Sequence, residues 1–270
     1  MISHKKIFCS RKCYIQTLPE CTICGKRSFN GGIYALDHSY FACNVCMKLP
    51  RCFACMFPTP SGARLSGDRV ICPDCGRTSI SSQTQAQAIF EEVRNTMRFS
   101  LGIVTKNPIR LELTDPVTLH RLSGAKSGQL VEQGLYRYNA QVERVTMRNF
   151  FGRKVGEKLY KKDESVQIYV LDHLPRVRME YVMAHELAHD WMRAFYPGIR
   201  EEWIREGFAE YIAWRYNQYK KRHKLNSRIE NNTDPVYGEG FRRIRKIAQD
   251  RGFAGLKKFL EFKSRQNHKK

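Results

Sequence analysis

Past residue 75 this 270-residue chain contains no cysteine. It also lacks any apolar run near the roughly 20 residues needed for a membrane-crossing helix, which excludes a helical membrane protein. No hydrophobic segment follows the basic start MISHKKIFCSRKC, so no secretory signal is expected, and a cytoplasmic, reducing setting is. Acids are scarce: 26 Asp and Glu stand against 47 Lys and Arg, a formal charge of +21. A charge excess of that size points first to nucleic acid or another acidic partner. Disorder is excluded for most of the chain, because 42% of residues are hydrophobic and 11% aromatic.

What is present begins with the ten cysteines, at 9, 13, 21, 24, 43, 46, 52, 55, 72 and 75. Eight of them form four CxxC pairs in a row, a pattern of metal binding rather than of disulfides. A CxxC turn sets two thiolates on one side of an ion, and a second pair completes the tetrahedron. Taken in order, Cys21, Cys24, Cys43 and Cys46 hold one structural zinc, and Cys52, Cys55, Cys72 and Cys75 hold a second. Interleaving the pairs is disfavoured by the five-residue link Met47–Arg51. Four-thiolate sites are closed, so these ions fold a segment and perform no chemistry. His38 is an alternative ligand, but four cysteines per site leave it a surface or packing residue. Two modules in sequence resemble a LIM domain. Cys9 and Cys13 read as the last ligand pair of an earlier LIM-type module, as an incomplete site with His4, or as free thiols. The expected organisation is a remnant of an upstream LIM module at 1–18, a LIM-like two-zinc domain at 19–80, and a zincin-like metallopeptidase domain at 81–270.

Downstream the pattern is mixed helix and strand. Ala86, Ile89, Phe90, Val93 and Met97 recur at helical spacing, so a helix is expected over 82–99, with Ser82 as its cap and Gly102 as its stop. Strands are expected at Ile109–Leu113, Leu135–Tyr138, Val142–Met147 and Val166–Leu171, and a hairpin loop around the lysine-rich Lys154–Lys162. The strand Val166–Val170 is read either as an edge that receives an extended substrate or as interior.

The strongest chemical signal is His185-Glu186-Leu187-Ala188-His189, an HExxH motif in helical context. One turn apart, the two imidazoles reach one ion, while Glu186 is placed as general base. A catalytic zinc needs a third protein ligand, and Glu206 in Trp203-Ile204-Arg205-Glu206-Gly207 supplies it. Glu210, one turn later, is set to accept the free N–H of a ligand histidine. Asp190 is a rival to Glu210 as the partner of a ligand histidine, but reads first as a solvated carboxylate. Tyr237, with His223 behind it, is the candidate donor to a developing oxyanion.

Beyond these residues the chain resembles the ubiquitin-activated LIM-domain metallopeptidases of plants that restrain organ growth. The likeness rests on the paired CxxC units, RCFAC followed by ICPDC, AHELAHDWMR, EGFAEYIAW and DPVYGEGFR. It implies an α+β fold, a gluzincin-like HExxH peptidase domain behind a LIM-like two-zinc module. It also implies zinc on His185 and His189, with Glu186 as base. The plant proteins carry ubiquitin-interacting motifs and a complete LIM domain upstream. This chain reads as a compact, microbial-type relative, and ubiquitin enters as a partner through the resemblance alone.

The expected function is therefore zinc-dependent endopeptidase action on a protein substrate, with one catalytic and two structural zinc ions. The LIM-like module would serve structure or a protein partner. Two alternatives stand beside it. One is a LIM-like adaptor with a silent peptidase half. The other is a nucleic-acid-associated protease, since residues 211–270 hold 17 Lys and Arg against 5 acids, clustered at Lys220–Lys224 and Arg242–Lys246.

Overall fold

A computed structural model describes residues 2–3, 6–34, 40–105, 107–124, 133–148 and 154–267. His4, His38 and residues 149–153 lie outside the described residues.

The cysteine-rich segment consists of short pieces. β1 (Ile2–Ser3) pairs with β2 (Lys6–Ile7), and α1 (Arg11–Gln16) starts at Ser10, whose hydroxyl accepts from the Cys13 amide. β3 (Gly32–Tyr34) pairs with β4 (Phe41–Cys43), and β5 (Ala63–Arg64) with β6 (Val70–Ile71), both antiparallel. α2 (Pro73–Arg77) and β7 (Ser79–Ile80) follow. The first CxxC turn of each module closes identically: Gly25 N–H donates to Cys21 C=O and Met56 N–H to Cys52 C=O, both at 2.8 Å. Both turn residues are left-handed, with φ of 69° at Gly25 and 64° at Met56. Only the first module uses glycine where the left-handed turn favours it.

The remainder is mixed helix and sheet. α3 (Gln83–Thr96) is capped by Ser82, whose hydroxyl accepts from the Gln85 amide, and it buries the expected stripe Ala86, Ile89, Phe90 and Val93. One π-type turn, Met97–Leu101, extends it until Gly102 (φ 69°) ends the helix. β8 (Ile109–Thr114) and α4 (Pro116–Ser123) lead to two long strands, β9 (Gly134–Arg148) and β10 (Lys154–Leu171). The sheet order is β8-β10-β9, parallel on the first pair and antiparallel on the second.

One expectation about these strands is corrected, and one open alternative is decided. Lys154–Lys162 is strand and not loop, paired with Arg148–Gln141 of β9. Val155, Leu159 and Tyr160 are strand formers, and their β propensity carries the pairing through the lysines between them. Val166–Val170 is interior, flanked by β8 and β9, so it offers no free edge. The outer strand of the sheet on that side is β9.

β11 (Leu174–Pro175) then leads into α5 (Arg176–Phe195), α6 (Glu202–Tyr219), α7 (His223–Glu230) and α8 (Gly238–Asn267), which kinks at Gly252. α3, β8, β10 and the helices α5, α6 and α8 share one apolar core, with Phe90, Ile168, Leu187, Phe208 and Phe241 at its centre. The cysteine-rich segment docks by backbone pairing, by Phe53 and Ile80 packed against this core, and by an ion pair. β7 pairs with β11, and the buried Arg69 donates to Asp172 Oδ1 (2.5 Å) and Asp172 C=O (2.9 Å). Among the described residues no helix is long and apolar enough to cross a membrane.

Candidate metal centre

α5 is built from good helix formers (Met, Leu, Ala, Glu), and nearly every residue from Met179 to Met192 is buried. His185 and His189 therefore project one turn apart from a fixed support, their ring centroids 4.9 Å apart. α6 returns beside α5, with Phe208 stacked on Trp191 at 5.2 Å and Ala209 and Ala213 fully buried. This return carries Glu206 to the histidines: its Oε2 lies 3.3 Å from both His185 Nε2 and His189 Nε2.

The ligand atoms of His185, His189 and Glu206 all fall within 4.8 Å of one another. Two imidazole nitrogens and a carboxylate oxygen are a donor set suited to zinc. The electrostatics agree with a place for a cation. Burial pushes the Glu206 carboxyl up, yet the facing imidazoles outweigh it and hold the group well below the usual carboxylate range. Burial likewise opposes charge on His185, but Glu206 and Glu210 raise its affinity for a proton well above the ordinary value. The residues present fit a divalent ion.

Around this cluster, Glu210 Oε1 lies 3.4 Å from His185 Nδ1 and accepts a 2.6 Å hydrogen bond from Tyr181. Glu186 is buried and lies against β9: a Cβ on Gly134 would stand 2.5 Å from Glu186 Oε1 and 2.5 Å from Val182. Tyr237 precedes α8, its ring 6.4 Å from that of His185 and nearly parallel to it. That approach depends on glycine, because Gly207 of α6 meets Gly240 of α8 so closely that a Cβ at Gly207 would lie 2.4 Å from the Gly240 backbone. His223 opens α7 and faces the cavity beside the second cysteine module.

Asp190 is not solvated. It is fully buried and accepts from Asn107 Nδ2 (3.1 Å) and Tyr136 OH (3.3 Å), fastening β9 to the metal-site helix. Burial raises its carboxyl above the ordinary range. Sequence reasoning also missed Glu180. It is buried on α5 and accepts from Arg176 (3.0 Å), Tyr216 (2.9 Å) and Arg222 (2.7 Å). Arg176 stands one turn before it on α5, but Tyr216 and Arg222 come from more than thirty positions away, and no local spacing marks those two.

The eight paired cysteines gather as their order in the chain suggests. Cys21, Cys24, Cys43 and Cys46 form one cluster and Cys52, Cys55, Cys72 and Cys75 another, each with its sulfurs within 4.8 Å. Within a cluster the thiols cannot all ionise unaided. Against the upward push of burial, backbone N–H groups bring Cys21 down to about 6, while burial and its neighbouring thiols push Cys46 up to about 12. A dication resolves that conflict. The Cys9 and Cys13 sulfurs lie 2.8 Å apart, and among the described residues no third ligand joins them.

Several cations of the basic clusters are already engaged. Besides Arg222 on Glu180, Arg242 donates to Asn232 C=O (2.7 Å), Arg243 pairs with Glu239, and Arg245 pairs with Glu230 (3.3 Å).

The fold and these clusters define a class: a two-cluster cysteine module joined to a mixed helix-and-sheet domain that can hold a further metal on two histidines and a glutamate. The chain's curated homologues are DA1-family proteins of plants. It is 22% identical to Protein DA1-related 7 of Arabidopsis thaliana over 96% of its length and 56% of that protein's. It is 23% identical to Protein DA1 of the same plant over 93% of its own length and 57% of that protein's. It is 22% identical to the LIM domain-containing protein HDR3 of Oryza sativa over 73% and 44%. The chain thus spans about half the length of the relatives it matches, and the kinship supports reading the cysteine block as a LIM-like zinc module. No family model matches the chain, and no solved structure matches it significantly.

Proposed function

We propose that the protein is a zinc-dependent endopeptidase acting on protein substrates, with the LIM-like module serving structure or a protein partner. The observation that carries this reading is the convergence of His185, His189 and Glu206 on one point beside the buried carboxylate of Glu186. In this reading the domain beyond the cysteine block is a gluzincin-like HExxH peptidase fold, and its metal is held by His185, His189 and Glu206. Zinc held by His185, His189 and Glu206 would supply Lewis-acid polarisation of the scissile carbonyl and a lowered pKa, near about 7, for the attacking water. Glu186 takes the proton of the attacking water and passes it to the leaving amine. Glu210, held by the Tyr181 hydroxyl, orients His185 through Nδ1. The Tyr237 hydroxyl donates to the oxygen on which negative charge develops. β9, whose outer edge has no strand partner among the described residues, receives the substrate as an added strand. Ubiquitin as a partner rests on the family resemblance.

The test is Glu186→Gln. Zinc content should be unchanged while cleavage falls by about 10³-fold or more, a loss of roughly 4 kcal/mol of transition-state stabilisation. If zinc-loaded wild type cleaves nothing in a proteome-wide screen, and Glu186→Gln has no phenotype, the chain is an adaptor with a silent peptidase half.

A further inference from the structure

A cavity of about 950 Å³ opens between the second cysteine module and the helices behind the metal centre. Its volume sits near the top of the range of about 300–1,000 Å³ usual for ligand sites. From the cysteine-rich side it is walled by Tyr40, Phe57 and Pro58, an aromatic and apolar surface. From the other side come Arg178 and Tyr181 of α5, Lys221, and Arg228 of α7. His185, Glu186, His189 and Glu206 do not line it, so this is a second site and not an extension of the first.

The cations of this wall are not all free to meet a ligand: Arg222, which also lines the cavity, is neutralised by Glu180 at 2.7 Å. Arg178 spends its Nε on the neutral Gln133 (2.6 Å) and lies over the Tyr181 ring, and it makes no ion pair among the described residues. Arg228 makes neither a hydrogen bond nor an ion pair among the described residues, although it is only partly exposed. Burial lowers its proton affinity, and the neighbouring Arg178 lowers it further. Asp74 also lines the cavity, but its carboxylate is taken by Arg77 at 2.7 Å, and two guanidiniums of like charge in one cleft cost free energy until an anion completes them. A nucleic-acid strand would match the charge but would set its remaining phosphates against the apolar wall.

We propose that this cavity is a docking site for an extended peptide carrying a carboxylate, which pairs with Arg228 and Arg178 while its apolar neighbours pack on Tyr40 and Phe57. The charge complementarity selects the acid and the opposite wall selects the apolar residues, so the motif is an Asp or Glu flanked by hydrophobic side chains.

The experiment uses the full zinc-loaded chain carrying Glu186→Gln, so that peptides are not cleaved, and selects from a displayed library of random octapeptides. Recovered peptides should be enriched in acid–hydrophobic pairs. Labelled with fluorescein, they should bind Arg228→Glu at least tenfold more weakly while that variant keeps its parent's zinc content. Leu225→Asp, on the rim of the same cavity, should weaken them similarly, and serves with Arg228→Gln if Arg228→Glu fails to fold. A hydroxamate directed at the catalytic zinc should not displace them. The proposal is overturned by recovered peptides without acidic enrichment, or by equal binding to the three variants. Displacement by the hydroxamate overturns it too, since that places the peptides in the metal centre. So does displacement by an oligothymidylate with no effect of acidic peptide, which assigns the site to nucleic acid. Loss of zinc from Arg228→Glu and from Arg228→Gln alike would make Arg228 a counter-ion of the cysteine cluster and end the proposal as well.

Discussion

Before residue 80 the larger buried apolar cluster is Cys21, Phe41, Ala42, Cys43 and Cys46, and the smaller is Cys52, Ala54 and Ile71. After residue 80 a single cluster gathers 36 buried apolar residues among those described. In the first region half of the core consists of metal-ligand candidates; in the second no cysteine exists, and packing does the holding. Cores as small as the first cannot offset the conformational entropy of some sixty residues without help, which is why small domains rely on metals. If the cysteine clusters hold metal, one segment of the chain depends on ions and the other on apolar burial, and the two dependences can be separated experimentally.

Chelation should separate them most strongly. Structural zinc contributes about 10–16 kcal/mol in finger peptides at pH 7, more than any single contact in the second region. EDTA should abolish amide-exchange protection in β4 and β6 while α5 and α6 keep theirs. Simultaneous loss in both regions would break the comparison.

The next largest effect is expected inside the packed region. Glu180→Gln leaves Arg222 and Arg176 without their carboxylate and should cost about 3 kcal/mol at neutral pH. Burial pushes the Glu180 carboxyl up, but Arg222 and Tyr216 outweigh it, so its pKa is depressed in the fold. Its contribution is thus complete above the ordinary carboxylate value of about 4.3 and is lost as pH falls through the depressed one. Urea titrations should show a constant gap between wild type and variant from pH 6 to 8, narrowing below about pH 4. A gap that widens in acid contradicts the assignment.

Gly207→Ala follows. Helix propensity alone predicts a gain of about 1 kcal/mol, whereas the contact with Gly240 predicts a loss of about 2 kcal/mol. A lowered melting temperature decides for packing, and the same variant should lower kcat by shifting Tyr237. The smallest effect belongs to the joint between the regions. Arg69→Leu removes both bonds to Asp172 and should cost about 1.5 kcal/mol. Its signature is in calorimetry, where one region should begin to melt apart from the other; an unchanged single transition would assign the joint to the β7–β11 pairing and the packing of Phe53 and Ile80.

Legibility followed the range of the interaction. The two cysteine clusters were readable because CxxC is a local turn, and His185 and His189 because a helix places residues i and i+4 together. Glu206 required only a second helix of suitable spacing. α3, with its Ser82 cap and Gly102 stop, was readable for the same reason. What escaped was long-range. The central place of β10 depends on Val166 pairing with Ile109, and no periodicity in either strand announces that partner. The lysines of β10 disguised a strand because charge was taken for solvent exposure at a turn. Asp190 looked like any surface acid until Asn107 and Tyr136 closed over it. Glu180, Gly134 and Arg69 each owe their importance to a residue more than thirty positions away.

The hydroxyl of Tyr181 carries one more consequence. Its side chain lines the cavity, while its hydrogen bond ends on Glu210, which faces His185. A ligand that draws this hydroxyl away loosens the support of a metal-binding imidazole and must weaken metal affinity by some factor. Thermodynamic reciprocity then obliges the metal to weaken that ligand by the same factor. The two sites would keep a common account through one phenol, and titrating zinc with and without the ligand would measure it.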